Sequence, residues 1–394
     1  MEKRKFEVII LGAGSTGSSI AFHLAKKGLT DVLILDKSCA GCGQTSRSSA
    51  VIRVHYTHPT LRDMAVASWK FLKTRFQDET GCEYPIFTET GVAIAGKEDH
   101  YKEMVNVVRD LKRKGVDTEL YDPQSFKNEV FKDVNTEGLA AIAWEPGSGY
   151  GDPNTLVQCF INYAVNQGVI LKEYTRVSKL VKEDNRITKV ITEDGEFIGE
   201  YIVNALGPWT NEVLASIGIE LPIKVGKDDS LLLENPPGKS SPPGWLDLAL
   251  GFYCRPEGKS FTLTGDLDVY YPDEPPEPGE YSRPPIEVIN RRAPPLIKRF
   301  PYMEYSAPYS SWYGYFDITP DWSPIIGYDN KIENLIHMVG LSAHGFKFAP
   351  AYGDIISDLI IYGRSTKYDI SSLTIERFIK GERQRGKYEY GLLG

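Results

Sequence analysis

Three glycines, Gly12, Gly14 and Gly17, stand at G-x-G-x-x-G spacing directly after the apolar run Val8-Ile9-Ile10-Leu11. Glycines so placed meet three needs: a tight strand-to-helix turn, close approach of backbone to a pyrophosphate, and close packing of helix on strand. Ser15 and Thr16 lie within the same turn. Asp36 stands 19 residues beyond Gly17, at the end of a second apolar run, where a carboxylate accepts hydrogen bonds from ribose hydroxyls. After Lys37 comes a loop of small residues, Cys39 to Ser49, that includes Thr45 and Ser46. Its hydroxyls and N–H groups suit phosphate or ribityl oxygens. The chemistry indicated is dinucleotide binding, and these residues alone do not separate NAD from FAD.

The elements that must position this turn are legible around it. A strand over Val8–Leu11, a helix from Ser18 to Lys27 closing at Gly28, and a strand over Asp31–Leu35 form a β-turn-α-β unit. Apolar residues at three- and four-residue steps predict helices over Thr60–Thr80 and Asp99–Arg113, and alternation predicts a strand over Ile86–Ala95. A short strand over Leu139–Trp144 leads to a turn-rich loop and a helix ending near Asn166. Four strand-like runs between Val169 and Ile202 then end at Val203-Asn204-Ala205-Leu206-Gly207, a second buried strand closing on glycine. From Leu221 to Phe316 short β-like runs alternate with proline-rich loops, Pro236–Gly244 and Pro272–Pro285, where no central strand or helix is expected. Near the end, a strand over Leu335–Val339 meets Gly340-Leu341-Ser342-Ala343-His344-Gly345-Phe346-Lys347-Phe348, and a helix follows over Ala351–Tyr362. This repeats the strand-glycine-helix logic of the N-terminus. A helix N-terminus with clustered N–H groups suits a negatively polarised cofactor edge.

The chain has 394 residues, enough for about two cores. A net charge of -8 argues against nucleic acid as the main partner. No run of apolar residues is long enough to span a membrane, and no signal region precedes the first strand, so a cytoplasmic location is expected. The five cysteines do not suggest a secreted disulfide framework. Cys39 and Cys42 form a C-x-x-C with no second ligand pair to complete a metal site, so they read as loop cysteines near the cofactor and no metal is expected.

Taken together, these blocks resemble the D-amino-acid-oxidase-like family of FAD enzymes, and within it monomeric sarcosine oxidase and the β subunits of heterotetrameric sarcosine oxidase and archaeal proline dehydrogenase. The resemblance covers nearly the whole length. It rests on the N-terminal turn through Asp36, Val51-Ile52-Arg53 with Tyr56, Thr88–Val92, Val203–Gly207 with Trp209, Asp317–Asp321 with Pro324–Gly327, and His344–Phe348. It implies an α/β fold, with a Rossmann-like FAD-binding domain and a second, mainly antiparallel β-sheet substrate domain. On that basis residues 1–80, 140–215 and 325–380 form a discontinuous FAD-binding domain, 81–139 and 216–324 the substrate domain, and 381–394 a polar tail. It also implies oxidation of the C–N bond of a small amino or imino acid, sarcosine, proline or a similar secondary amine, to an imine.

Residue by residue, Arg53 matches the family's carboxylate-binding arginine and Lys347 the lysine that assists it, while Tyr253 matches a substrate-facing tyrosine. A bidentate arginine is the physical answer to a carboxylate in a closed pocket. Val177 resembles the residue whose backbone meets the adenine. His344 matches a flavin-adjacent residue and is assigned no acid–base work. Ala205, Gly207 and Trp209, with Gly340, Gly345 and Phe346, complete the expected cofactor contacts. Three departures shape the expectation. Ala50 stands where monomeric sarcosine oxidases carry a second arginine, Phe261–Asp266 lacks their oxygen-activating lysine, and Ser311–Tyr315 lacks the cysteine of covalent attachment. The expectation is therefore non-covalent FAD and a dehydrogenase rather than an oxidase, since a lost cation removes stabilisation of developing superoxide. Two alternatives stay open: a flavin subunit of a multi-subunit electron-transfer complex, and a 2-hydroxy acid oxidoreductase of the same fold. The sequence also leaves a hetero- or homo-oligomer open.

Overall fold

The strand Lys5–Leu11 runs parallel between Val32–Leu35 and Gly195–Asn204, with Val8, Ile9, Ile10 and Leu11 fully buried. An unbroken apolar run is what a strand covered on both faces requires. The computed structural model describes residues 4–273, 276–384 and 386–391. Met1 to Lys3, Glu274 and Pro275 of the second proline-rich loop, and Arg385 and residues 392–394 of the expected tail lie outside the described residues.

The parallel core is extended by Ile170–Lys172 on one side and Leu335–Val339 on the other, and the hairpin strands Val177–Glu183 and Arg186–Thr192 add an antiparallel edge. Val8 and Ile10 face a layer of helices, Ser15–Lys26, Pro59–Thr74, Pro153–Asn166 and Gly345–Tyr362. Ile9 and Leu11 face the opposite side, against Val177, Leu180 and Val213. Close approach of the first and last of these helices depends on Gly353, where a Cβ would strike the Ser19 side chain and backbone. The Ser19 hydroxyl donates to the Ala349 carbonyl at 2.6 Å.

A second sheet of nine strands is antiparallel except where Gly244–Asp247 runs parallel to Val92–Gly96. Its centre is the long pair Lys224–Glu234 and Ala307–Ile318. One face packs Leu231, Leu233, Trp245 and Phe252 against Val288 and Leu296 of the helix Ile286–Arg299. A small three-stranded sheet joins Val51–Ile52, Gly149–Gly151 and Phe87–Glu89. Among the described residues no helix is long and apolar enough to cross a membrane.

Several sequence expectations are corrected by tertiary structure. The stretch 286–299, expected as part of a β and loop region, is a helix that carries Pro294 and Pro295 inside it. Burial of its apolar face outweighs the lost backbone bonds. The helix expected over Ala351–Tyr362 begins at Gly345 and runs through Pro350. The expected strand Ile86–Ala95 breaks at Gly91, whose φ of +71° turns the chain from the small sheet into the large one. The strand Ala141–Glu145, expected with the first sheet's segments, pairs in the second. The helix expected over Thr60–Thr80 ends at Thr74, and a separate turn spans Phe76–Thr80.

The cysteines also differ from expectation, since Cys39 bonds Cys42 and Cys82 bonds Cys159. The second pair is brought together across 77 residues by packing that sequence spacing does not reveal. The expected polar tail is not free: Tyr388 is buried, and its hydroxyl lies 2.8 Å from His55 Nε2.

Candidate active site

The glycine turn is built by steric exclusion. Gly12 has φ of +102°, and a Cβ there would strike the Ala205 carbonyl. A Cβ on Gly17 would strike the Gly12 carbonyl, so Gly17 serves the helix-to-strand approach. The Gly12 N–H donates to the Leu35 carbonyl at 2.8 Å. Asp36 binds the turn to the second strand, accepting from Ala13 N–H at 2.7 Å and Ser38 N–H at 2.9 Å. Burial pushes its carboxyl above the usual range, while these bonds pull it back. Thr45 Oγ1 accepts from Ser15 N–H at 3.0 Å, tying the small-residue loop to the turn.

These groups open onto a long cleft. Gly12, Gly14, Ser15, Thr16, Asp36, Lys37 and Thr45 line one end. Val177, Ala205, Gly207 and Trp209 form a wall, with Lys37 Nζ 3.9 Å from the Trp209 ring centroid. The far end is the second turn, where Ser342 and Ala343 have φ of +49° and +67°. Such non-glycine conformations cost energy and are held by their surroundings. Here buried Asp317 holds the turn, its Oδ2 accepting from Gly340 N–H at 2.6 Å and Leu341 N–H at 3.1 Å. Burial lifts that carboxyl to about 6 against the pull of those bonds. Gly345 and Phe346, at the N-terminus of the helix Gly345–Tyr362, also line the cleft.

A second cavity shares Gln44, Ser48, Phe316, Ala343 and Phe346 with the cleft, so the two are contiguous. Arg53, Lys347 and Tyr253 all line it. Arg53 is 1% exposed, lies 4.0 Å over the Tyr56 ring and donates to the His55 carbonyl. Glu145, also buried, fixes the same segment by accepting from Val54 N–H at 3.0 Å and the Ser148 hydroxyl at 2.7 Å. Burial raises the Glu145 carboxyl, and these bonds together with the Arg53 charge oppose the rise. Lys347 Nζ donates to the Ala343 carbonyl at 3.1 Å. Burial first, and the Arg53 charge second, hold the Lys347 amine well below its ordinary range. Tyr253 is pushed up to about 12, chiefly by burial. Gly265 admits the tyrosine, because a Cβ there would strike its hydroxyl.

Four residues expected at the cofactor line neither cavity. Gly17 packs helix on strand, as above. The Ser46 hydroxyl turns back to the Gly43 carbonyl at 3.1 Å. Gly340, with φ of +67°, shapes the second turn. His344 is fully buried behind it, its ring edge-on to Tyr56 at 5.4 Å.

Other lining residues were not singled out from sequence: Gln44, whose amide oxygen accepts from Tyr315 N–H, and Asp228 with Ser230. Gln44 is accommodated because Gly314 has no Cβ to strike it. The available signal for Asp228 was Asp228-Asp229 inside a strand that continues as Leu231-Leu232-Leu233.

Comparison with known proteins accords with this geometry. Rat mitochondrial dimethylglycine dehydrogenase is 25% identical over 395 residues, covering 96% of this chain and 45% of its own length. 4-Methylaminobutanoate oxidase (formaldehyde-forming) of Paenarthrobacter nicotinovorans is 22% identical, with 96% and 46% covered. The chain thus spans about half the length of these curated relatives. The crystal structure of L-proline dehydrogenase from P. horikoshii superposes with a TM-score of 0.87 at 26% identity, covering 97% of this chain and 100% of that one. Residues 7–359 match the DAO family, FAD dependent oxidoreductase, and the chain belongs to that family.

Proposed function

We propose that this chain oxidises the C–N bond of a small carboxylate-bearing secondary amine, of the sarcosine or proline kind, to an imine. One observation carries the reading: a cleft built around a dinucleotide turn opens into a cavity lined by two buried basic side chains, Arg53 and Lys347. The relatives named above are, by name, enzymes of dimethylglycine, 4-methylaminobutanoate and L-proline, all carboxylate-bearing amines.

The residues fit FAD. The glycine turn, Asp36, Thr45 and the Trp209 wall would hold its dinucleotide part, and Gly345 and Phe346 its other end. Bound there, FAD supplies the hydride acceptor. Arg53 and Lys347 pair with the substrate carboxylate, and their burial makes that pairing strong. Tyr253, on the opposite wall, orients the amine end. The enclosed cavity keeps bulk water from the reacting carbon, and the released imine hydrolyses outside.

FAD is held without a covalent bond on this reading, because no cysteine is among the described residues lining either cavity. A dehydrogenase is favoured over an oxidase because no lysine occupies Phe261–Asp266. The test is anaerobic mixing of the yellow holoenzyme with sarcosine, N,N-dimethylglycine, L-proline and D-proline. Bleaching of the flavin by at least one is expected, and bleaching by none refutes the substrate class. Turnover should be faster with an artificial dye than with dioxygen.

A further inference from the structure

The pole of the second cavity opposite the cations remains to be explained. Asp228 is the one carboxylate among its lining residues and is only 7% exposed. It sits on the strand Lys224–Glu234, beside Ser230, whose hydroxyl lies 3.5 Å from that of Tyr253. Behind it, away from the cavity lining, stands Arg292 of the helix Ile286–Arg299. Arg292 Nη2 donates to Asp228 Oδ1 at 2.6 Å, while its Nε donates to the Asp229 carbonyl at 2.8 Å and its Nη1 pairs with Asp266. A carboxylate offers about four lone-pair sites, so the Arg292 bond leaves acceptor capacity facing the cavity.

A cavity with cations at one pole and a carboxylate at the other matches a zwitterion. The amine of such a substrate is an ammonium in neutral water, and burying it unpaired would be costly. It must also lose a proton before its carbon can lose hydride, because the nitrogen lone pair forms the new C=N bond. We propose that Asp228 pairs with the substrate's ammonium and accepts its proton, with Arg292 as the positioning residue behind it; this rests on the function proposed above. In that step an N–H bond breaks, an O–H bond forms on Asp228, and the nitrogen keeps the electron pair. The nitrogen pair is then free to close C=N, a step for which bound FAD would supply the hydride acceptor.

Burial lifts the Asp228 carboxyl to about 7, with Arg292 pulling it down and Asp229 pushing it further up. A substrate ammonium in the same cavity is pushed toward its neutral form by burial and by Arg53, as Lys347 is. The charged or titratable groups nearest Asp228 are Asp229 on its own strand, Asp266 on the strand beside it, Tyr253 one strand further, and Arg291 and Arg292 on the helix. Arg47, Arg53 and Lys347 are the basic side chains among the described residues that line the cavity with it.

The test uses holoenzyme with its flavin reduced beforehand, so that no ligand is consumed, and reads affinity by calorimetry. Sarcosine is paired with methoxyacetate, and L-proline with tetrahydrofuran-2-carboxylate; each pair differs in nitrogen against oxygen. Both members of a pair meet Arg53 and Lys347 equally, so the affinity ratio isolates the amine pole. In the wild type the ratio should fall roughly tenfold per pH unit below about 7 and level off above it. Asp228→Asn should lower the ratio roughly 10- to 150-fold, the range for one charge-assisted hydrogen bond, and flatten its pH dependence. A ratio that ignores pH in the wild type, or an Asp228→Asn holoenzyme that keeps the wild-type ratio, overturns the assignment while leaving the substrate class standing. If the variant fails to hold FAD, the wild-type profile alone decides. If the wild type binds neither amino acid, the substrate class fails and the assignment falls with it.

Discussion

Replacing Lys347 with methionine removes one cation from the carboxylate pole while keeping most of the side chain's length and apolar stem. Lys347 sits in the first turn of its helix, where the macrodipole already disfavours a cation. Burial and the Arg53 charge disfavour it further, so its amine titrates well below the ordinary range. A carboxylate arriving opposite supplies the charge that burial withheld, and binding draws a proton onto Lys347. The sign follows directly. Affinity for a carboxylate falls as pH rises through the depressed Lys347 range, and binding in that range takes up a proton. Losing one charge-assisted hydrogen bond costs about 1.5–3 kcal/mol. At about 1.4 kcal/mol per factor of ten, Kd weakens roughly 10- to 150-fold.

The assay is calorimetric titration of the holoenzyme with methoxyacetate in two buffers of different ionisation heat. In the wild type the binding heat should depend on the buffer, reporting proton uptake. In Lys347→Met the buffer dependence and the alkaline loss of affinity should both vanish, with the weaker Kd persisting at low pH. Fold stability should move the other way or hold, because a buried amine beside Arg53 is replaced by an apolar group. Wild-type affinity in the variant, or wild-type binding without proton uptake, would refute the role given to Lys347.

Gly17→Ala places a Cβ against the Gly12 carbonyl, which is backbone and cannot yield, so the protein should purify colourless, as flavin absorbance will show. Arg377→Met leaves buried Asp321 without the guanidinium that now binds it at 2.8 and 3.0 Å. Loss of one partner of a buried pair predicts about 3–5 kcal/mol of destabilisation in urea unfolding. Reduction of Cys82–Cys159, which closes a loop of 77 residues, should cost about 4 kcal/mol by the chain-entropy model, and Cys82→Ser should show the same midpoint shift under non-reducing conditions.

The parts of this molecule that were legible from sequence are those whose chemistry is local. Gly12, Gly14 and Gly17 announce themselves because one turn demands all three within six residues. Arg53 and Lys347, almost three hundred residues apart, were associated only through the family resemblance, since nothing in either neighbourhood names the other. Asp228, Glu145 and Arg292 were passed over for a related reason. An acid in a strand or an arginine on a proline-bearing helix looks like solvated surface until packing buries it. Tyr388 shows the same limit at the C-terminus: a polar stretch reads as a tail, yet one aromatic ring docks on His55 and draws the segment onto the protein.

The two poles of the second cavity have separate structural origins. Arg53 follows the small sheet's first strand and Lys347 opens the helix Gly345–Tyr362, so the carboxylate pole is held by the elements that frame the cofactor cleft. Asp228 and Ser230 on one strand of the large sheet, and Tyr253 two strands away across Phe261–Asp266, are carried by that sheet and are backed by the helix bearing Arg292. On the proposed function, the distance between a substrate's carboxylate and its amine is therefore measured between the elements of the cofactor cleft and the large sheet, which meet where Val51 packs with Tyr253. A change in the large sheet, such as a Cβ at Gly265 that displaces Tyr253, shifts the amine pole and leaves the carboxylate pole in place. On the proposed function, the elements around Gly12 hold the cofactor, and the large sheet meets the amine on which it acts.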